Sequence, residues 1–327
     1  MTKPSNRILW VERAQVVAML LVTLHHSLPR GYGGPLWLSN ALEAIQYPAL
    51  ACFFLTGALF AGKWRQTGLP AYLKARFIRL MTPYFCVNLL MLAPRYLAAK
   101  ALGYQPNLTA RWLVMSFLDP HGQGIAPHLW FLPALFMLSA LLPVIDTALS
   151  RTVPRRIALA GLFVLSVWPV TLPTLLCLNE LKLYLFWYAA GRALAQGDIS
   201  QPPLRGRMGL AVGWLGLMVF IATLVVENAP MATALQTVGG ALALFEISGL
   251  SPRDDALTNL FRGKTFVIYV LSMCVQNLVE VVCYAAKLPW LISLPAMFVA
   301  GLAVPLAIGC WNERHPLPKA VRLMIGL

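Results

Sequence analysis

The chain of 327 residues is 59% hydrophobic and only 12% charged, whereas a typical soluble domain is about 25% charged and 45–50% apolar. This composition excludes an ordinary soluble domain and indicates an integral membrane protein. The net charge of +14 would suit a nucleic-acid-binding protein, but the basic residues lie in short gaps between apolar runs and not on an aromatic-interleaved face. We therefore expect membrane lipids, and no nucleic acid, as partners.

Apolar runs long enough to cross a bilayer recur along nearly the whole chain. Every span should be helical, because unpaired backbone groups are too costly in lipid and the alternating pattern of a β-barrel is absent. Breaks at proline, glycine and charged residues predict ten spans: 8–28, 37–61, 77–99, 128–149, 156–177, 180–196, 208–226, 229–249, 264–285 and 289–310. The sequence thus predicts an all-α, polytopic protein with about ten transmembrane helices, in which residues 1–327 form a single integral-membrane domain.

The distribution of basic residues predicts the orientation of these spans. If the N-terminus is cytoplasmic, six of the 26 Lys and Arg residues fall in outer segments and the remaining 20 in inner segments, as the positive-inside rule requires. The inner residues include Lys3, Arg7, Arg151, Arg205 and Arg253, and the outer ones are Arg30, Arg95, Lys100, Arg111, Lys182 and Lys287. Both termini are therefore expected to be cytoplasmic.

The six cysteines lie mostly within predicted spans and lack the spacing of metal ligands. Buried free cysteine behaves as a small apolar side chain, so a packing role is the simplest interpretation. We expect no metal site and no permanently bound cofactor.

The first span carries polar residues that need an explanation. Gln15 and His26 are eleven positions apart, which on a helix places them within about 20° of each other and roughly 16 Å apart along the axis. Glu12 lies about 40° from the same line. A polar stripe in a membrane helix must face protein or water, so it predicts a cleft headed by an imidazole that can act as a general base.

The simpler interpretation is that both histidines sit at the level of the outer headgroups. Only one of two adjacent helical residues can point inward, and the stripe favours His26 over His25. In the second span, Thr56 and Gly57 interrupt bulky residues, which indicates close helix packing.

Arg76 and Arg79 lie three positions apart on one helix face at the inner membrane surface. Arginines there can bind phosphates with bidentate geometry, although positive-inside topology explains them equally well. In the ninth span, Gln276, Asn277 and Glu280 are further polar residues within apolar sequence. A carboxylate at that depth needs a partner, which the sequence does not identify.

The outer side has its own group of polar and aromatic residues. The long outer connection, about 100–127, contains an amphipathic patch near 112–118 and the turn-rich DPHGQG with His121; loops of this length are usually functional or disordered. The fourth span then opens with HLWFLPAL, which places His128 and Trp130 at the outer interface. Aromatic anchoring is the ordinary explanation for this pattern, and contact with an external substrate is the alternative.

Four motifs, in this order, resemble the acyltransferase-3 family of integral-membrane O-acyltransferases. They are WVERAQVVAMLLVTLHH, FFLTGALF, YLKARFIRLMTPYF and HLWFL, and YAAGRAL is similar to a weaker family motif. The resemblance covers nearly the whole chain. It implies transfer of an acyl group from cytoplasmic acyl-CoA, such as acetyl-CoA or succinyl-CoA, to a hydroxyl of a carbohydrate or glycolipid on the far side of a bacterial cytoplasmic membrane.

The resemblance also implies roles for particular residues. The family pairs an arginine in the first helix with an essential histidine eleven positions later; the matching histidine here is His26, but Gln15 stands at the arginine position. Either Arg13 reaches round or Gln15 takes the role, so the catalytic group is predicted as His26 with Glu12 and Gln15. The predicted donor-binding residues are Arg76, Arg79 and Arg13, and the predicted acceptor-binding residues are His121, His128 and Trp130.

Two other functions remain open at this point. A transporter or flippase for a sugar-lipid or small polar solute would also line its path with polar helix residues. A family member without catalytic activity would fit the glutamine at position 15. Release of free thiol from acetyl-CoA in the presence of a glycan acceptor separates the enzyme from both.

Overall fold

A computed structural model describes residues 8–28, 34–101, 109–150, 152–197, 206–223, 230–249 and 255–327. Throughout these ranges the regular secondary structure is helical, as predicted. Several basic residues that entered the topology prediction lie outside the described residues, namely Lys3, Arg7, Arg30, Arg151, Arg205 and Arg253.

Each predicted span coincides with at least one helix. In chain order the α-helices are α1 (Leu9–His25), α2 (Leu36–Leu59), α3 (Trp64–Thr67), α4 (Leu69–Ala101), α5 (Ala110–Leu118), α6 (Phe131–Ala140), α7 (Leu142–Ala148), α8 (Thr152–Val167), α9 (Leu178–Leu194), α10 (Gly206–Thr223), α11 (Pro230–Gly249), α12 (Ala256–Phe261), α13 (Thr265–Ala285), α14 (Trp290–Arg314) and α15 (Lys319–Ile325). Short 3₁₀ turns occur at Ala61–Lys63, Pro127–Trp130 and Leu175–Cys177.

Several helices have the length and composition of membrane spans. Among the described residues, four stretches qualify: Leu36–Thr67, Leu69–Leu97, Thr265–Ala285 and Trp290–Arg314. Pro127–Ala140 and Leu142–Ala148 meet at a bend of 57° and have the length and composition of a fifth span only when they are taken together. Many large apolar side chains on these helices are exposed, as lipid contact requires. The chain is an integral membrane protein, while the number of ten crossings and the cytoplasmic termini stay predictions.

Two predicted boundaries are wrong. The span predicted at 156–177 ends early, because α8 stops at Val167 just before Pro169, whose ring and missing N–H disfavour a continuing helix. The span predicted at 77–99 begins too late, since α4 starts at Leu69. Arg76 and Arg79 therefore lie within a helix, well after its first turn.

Helix α1 is central to the bundle and packs against α2, α11, α13 and α14. The fully buried Ala14 and Ala18 allow these neighbours to approach closely. Helix α2 also packs against α9, where a Cβ atom on Gly191 would lie only 2.2 Å from the carbonyl oxygen of Leu55. This helix crossing therefore requires glycine at position 191.

Candidate active site

A cavity of about 240 Å³ lies between α1, α2, α4, α6 and α13. Gln15 of α1 lines it and donates a hydrogen bond from Nε2 to Oγ1 of Thr56 at 3.2 Å. Its other lining residues are Met19, Phe53, Gly57, Phe60, Arg76, Arg79, Leu80, Phe131, Leu135, Thr265, Phe266 and Tyr269. The stripe predicted on α1 thus faces a protein cavity at Gln15. Arg76 and Arg79, two of the three residues predicted to bind the donor, line the same space.

The two arginines of α4 are held differently. Arg76 donates from Nε to Oγ of Ser139 at 3.3 Å and lies over the ring of Tyr72. Its Nη2 atom is buried and has no hydrogen-bond partner among the described residues. Arg79 is exposed, with its guanidinium 5.8 Å from the ring centroid of Phe266. Arg76 therefore carries an unused N–H group beside the cavity, and such a group is suited to an anionic or carbonyl ligand.

Arg79 and Phe266 also line a second cavity of about 540 Å³. The remaining wall residues include Ala75 and Ile78 of α4, Gly263, and Leu323 and Gly326 in or next to α15. A Cβ atom on Gly326, which has φ of +80°, would lie 2.9 Å from the Phe266 ring. The Arg79–Phe266 pair thus stands at the boundary between two cavities.

Contacts through Tyr269 lead from the first cavity toward two histidines. Tyr269 lines the cavity and donates from its hydroxyl to the backbone carbonyl of His128. The His128 ring lies 6.3 Å from the ring of His26, measured between centroids. Nδ1 of His128 is buried with no hydrogen-bond partner among the described residues. A continuous series of contacts therefore joins the cavity to His26, although His26 does not line the cavity itself.

Neighbouring residues fix the outer end of α1. Nδ1 of His25 lies 2.9 Å from the carbonyl oxygen of Leu42, so the two adjacent histidines point to different partners. Gln276 of α13 is fully buried and donates from Nε2 to the carbonyl of Thr23 at 2.8 Å and to Oγ of Ser27 at 2.9 Å. These two acceptors flank His26 along the chain, so Gln276 holds the segment that carries its imidazole.

The comparison with known protein families identifies the family of this chain. The acyltransferase-3 model, described as an acyltransferase domain, matches residues 8–310. The chain belongs to the acyltransferase-3 family. No curated protein and no solved structure matches it.

The acyltransferase-3 domain brings its four motif stretches into one region. The first supplies Gln15 and His26, the second Thr56, the third Arg76 and Arg79, and the fourth His128. The matched residues end within α14, so α15, which contributes Leu323 to the second cavity, lies outside them. That part of the cavity wall therefore lies beyond the residues that match the family.

Other predicted site residues of the acyltransferase-3 domain lie away from the first cavity. Arg13 is largely buried and donates from Nε to Oδ2 of Asp255 at 2.8 Å. Glu12 is half-buried, and neither residue is part of the lining of the two cavities around Arg79. Gln15, and not Arg13, therefore lines the first cavity.

His121 and Trp130, which were predicted to bind the acceptor, form a second group. The His121 ring is stacked on Trp130 at 5.6 Å between centroids and 9° between planes. Nδ1 of His121 forms a short hydrogen bond with Oε1 of Glu180. This bond raises the pKa of His121, and the charges of Glu180 and Asp119 add to the rise while burial opposes it.

Sequence reasoning missed several residues of the acyltransferase-3 domain. Tyr269 and Glu180 lie in contact with predicted site residues, but neither belongs to one of the sequence motifs. Asp146 and Arg192 form a buried bidentate ion pair, with distances of 2.9 Å and 3.0 Å. The signal for this pair was present, because an isolated charge within an apolar span requires a partner, and Arg192 lies within the YAAGRAL motif.

Proposed function

We propose that this protein transfers an acyl group from cytoplasmic acyl-CoA to a hydroxyl of a carbohydrate or lipid-linked sugar on the outer face of a bacterial cytoplasmic membrane. The observation that carries the proposal is the cavity that joins Gln15 and Thr56 to Arg76 and Arg79. It has basic groups at one end and, through Tyr269 and His128, contact with His26 at the other. The family membership supports acyl transfer as the reaction class.

The donor is bound from the inner side in this proposal. Phosphates of the nucleotide part interact with Arg79 at the boundary of the larger cavity, where α15 forms part of the wall. The slim pantetheine arm then extends through the smaller cavity, past Arg76 and along Gln15 and Thr56. The buried Nη2 of Arg76, which has no hydrogen-bond partner in the described part of the chain, donates to the arm or to a phosphate.

The thioester must travel beyond the cavity to reach His26. The cavity is lined by α1 up to Met19, and His26 lies seven residues further along the chain, which corresponds to about 10 Å. Tyr269 stands between the two regions, because it lines the cavity and binds the His128 carbonyl. The proposal therefore requires the Tyr269 side chain to change its position when the donor is bound.

The chemical step follows from an imidazole base beside an entering thioester. His26 takes the proton of the acceptor hydroxyl while that oxygen attacks the thioester carbonyl carbon. A neighbouring donor stabilises the oxyanion of the tetrahedral intermediate. When the intermediate collapses, the C–S bond breaks, the ester remains on the acceptor, and the imidazolium returns its proton to the thiolate of CoA.

The test uses the purified protein in vesicles with radiolabelled acetyl-CoA and a glycan acceptor. The proposal predicts that CoA with a free thiol is released and that label appears on the acceptor in equal amounts. Movement of the acceptor across the bilayer without release of CoA would instead identify a transporter. Absence of both in wild-type protein would identify a member without catalytic activity.

A further inference from the structure

His121 is half-exposed but forms a hydrogen bond with a buried glutamate, Glu180. Its side chain is 50% exposed, whereas that of its partner Glu180 is only 2% exposed. The second carboxylate oxygen of Glu180 is buried and has no hydrogen-bond partner among the described residues. A buried carboxylate that leaves one oxygen unpaired is costly, so the pair calls for an explanation beyond packing.

The hydrogen bond to Glu180 determines which nitrogen of His121 faces outward. Because Nδ1 donates its proton to the carboxylate, the neutral imidazole carries its lone pair on Nε2. Nε2 makes no hydrogen bond within the described residues. The half-exposed ring therefore presents a hydrogen-bond acceptor of fixed direction to the outer side.

The ring is also rigidly mounted. It is stacked on Trp130, which belongs to the same four-residue turn, Pro127–Trp130, as His128. That turn is tied on two sides, because Tyr269 donates to the His128 carbonyl and the Cys177 thiol to that of Trp130. His26 and His121 are thus each in ring contact with one member of the same turn.

Charges near His121 indicate what kind of ligand it can accept. Asp119 and Glu180 are the ionisable groups that raise its proton affinity, and Asp119 holds the turn through Gly122. Arg95 lies at the far end of the segment, where its Nη1 donates to the carbonyls of Gly124 and Ile125. Two carboxylates beside the ring repel an anion, so an uncharged hydroxyl is the favoured ligand.

We propose that His121, stacked on Trp130, and its partner Glu180 form a binding subsite for a hydroxyl of an uncharged acceptor sugar. At a pH above the pKa of His121, its neutral Nε2 accepts a hydrogen bond from the hydroxyl, and Glu180 maintains the tautomer. This inference rests on the proposed acyl transfer. It adds that the acceptor is a neutral glycan and that His121 contributes to its binding and not to the chemical step.

The first test measures the pair without any activity. Diethyl pyrocarbonate reacts with neutral imidazoles, so peptide mass spectrometry of the intact, modified protein gives the pH midpoint of His121. We expect a midpoint above 6.5 in wild type and a lower one in Glu180→Gln, which removes the negative charge while keeping the hydrogen-bond acceptor. His315, at the end of α14, serves as the control. An unchanged His121 midpoint in Glu180→Gln would overturn the assigned pair.

The second test separates acceptor binding from chemistry, with maltotriose as the neutral acceptor and a galacturonic acid trimer as the anionic one. His121→Leu should raise the KM for maltotriose about tenfold, as expected for one lost hydrogen bond, and leave the KM for acetyl-CoA unchanged. His121→Gln should restore part of the loss, since its side-chain oxygen can accept. In Glu180→Gln, the rise of this KM at acidic pH should begin at a lower pH.

The outcomes distinguish this inference from the proposed function. If wild type releases CoA with either trimer but His121→Leu has an unchanged KM for the acceptor, the subsite is wrong and acyl transfer stands. Transfer to the galacturonic acid trimer but not to maltotriose would contradict the neutral ligand. If wild type releases no CoA with any acceptor, the proposed function itself fails.

Discussion

The imidazole rings of His26 and His128 lie edge to face, with their centroids 6.3 Å apart and their planes at 71°. This contact joins the end of α1 to the Pro127–Trp130 turn that precedes α6. The carbonyl of His128 accepts a hydrogen bond from Tyr269, which lines the first cavity. The contact therefore links the cavity that contains Arg76 and Arg79 to His26.

Replacing Arg76 or Arg79 by glutamine should weaken donor binding. Each guanidinium lines the cavity, and a hydrogen bond to a charged group contributes about 1.5–3 kcal/mol, so we expect the KM for acetyl-CoA to rise at least about tenfold for each variant. Lys74→Gln is the matched control, because Lys74 is exposed on the same helix and outside the cavity lining. An equal effect of Lys74→Gln would assign the arginines a general topological role.

The charge at position 15 should control donor affinity in both directions. Gln15 shares a cavity with Arg76 and Arg79, so Gln15→Arg adds a third positive charge and Gln15→Glu adds a negative one that attracts the arginines away from the donor. Steady-state kinetics should show a lower KM for acetyl-CoA in Gln15→Arg and a higher one in Gln15→Glu. Shifts of the same sign in both variants would show that shape, and not charge, matters at this position.

The sequence could predict those parts of the site that depend on residues close together in the chain. It could not predict the parts that depend on contacts between residues far apart in the chain. The α1 stripe follows from helix geometry, and it correctly placed Gln15 toward a protein cavity. Arg13 was assigned to the donor because it lies next to the stripe. Its pairing with Asp255, 242 positions away, depends on tertiary packing that no local pattern encodes.

The same limit explains the other omissions. Tyr269 and Glu180 acquire their positions only when α13 and α9 pack beside the Pro127–Trp130 turn. The end of α8, by contrast, was predictable from Pro169, and its misplacement came from giving the apolar run more weight than the proline. Proline alone does not settle where a helix ends, however, because Pro48, Pro83, Pro94, Pro295 and Pro305 all lie inside helices.

The buried Asp146–Arg192 pair should be essential for stability. Asp146 also accepts a hydrogen bond from Trp64 Nε1 at 2.9 Å, so the pair joins α3, α7 and α9. Arg65 also lies 3.3 Å from the Asp146 carboxylate, but its side chain is 56% exposed. Removing Asp146 or Arg192 leaves the other buried charge without its bidentate partner, and we expect Asp146→Leu or Arg192→Met to lower the free energy of unfolding by about 3–5 kcal/mol. The double variant should lose less than either single variant, as measured by urea unfolding in detergent micelles.

The Lys264–Glu313 pair provides the control for this measurement. The side chain of Glu313 is 60% exposed, whereas that of Lys264 is only 6% exposed. Water around the carboxylate screens this pair, and glutamine at position 313 keeps an oxygen that can accept from Lys264. Glu313→Gln should therefore lower the free energy of unfolding by less than Arg192→Met does. If Glu313→Gln and Arg192→Met lower the free energy of unfolding equally, burial does not explain the contribution of the Asp146–Arg192 pair to stability.

Stability should depend on acid through Asp255. The backbone N–H of Thr258 and the Arg13 guanidinium hold the pKa of Asp255 at about 2, below the value of about 3.9 expected in an unfolded chain. The ionised carboxylate therefore stabilises the fold above about pH 4, and this contribution disappears as the pH falls to about 2. Asn at this position keeps the cap of α12 but not the charge.

We accordingly expect Asp255→Asn to unfold at a lower temperature than wild type at pH 7, with a difference that shrinks as the pH is lowered from 4. Thermal unfolding followed by circular dichroism at several pH values measures this difference. A gap between the two proteins that is the same at pH 7 and pH 3 would show that Asp255 contributes through its shape alone.

In the proposed function, His26 takes a proton from an external hydroxyl while the donor comes from the inner side. Sealed vesicles of known orientation test both parts, with radiolabelled acetyl-CoA on the cytoplasmic side only and the acceptor on the other side only. We predict that wild type and His315→Ala form labelled ester on the acceptor side, and that His26→Ala, folded and inserted to the same extent, does so at least about 100-fold more slowly. Ester formation by His26→Ala at the wild-type rate would contradict the proposed role of His26 as the general base.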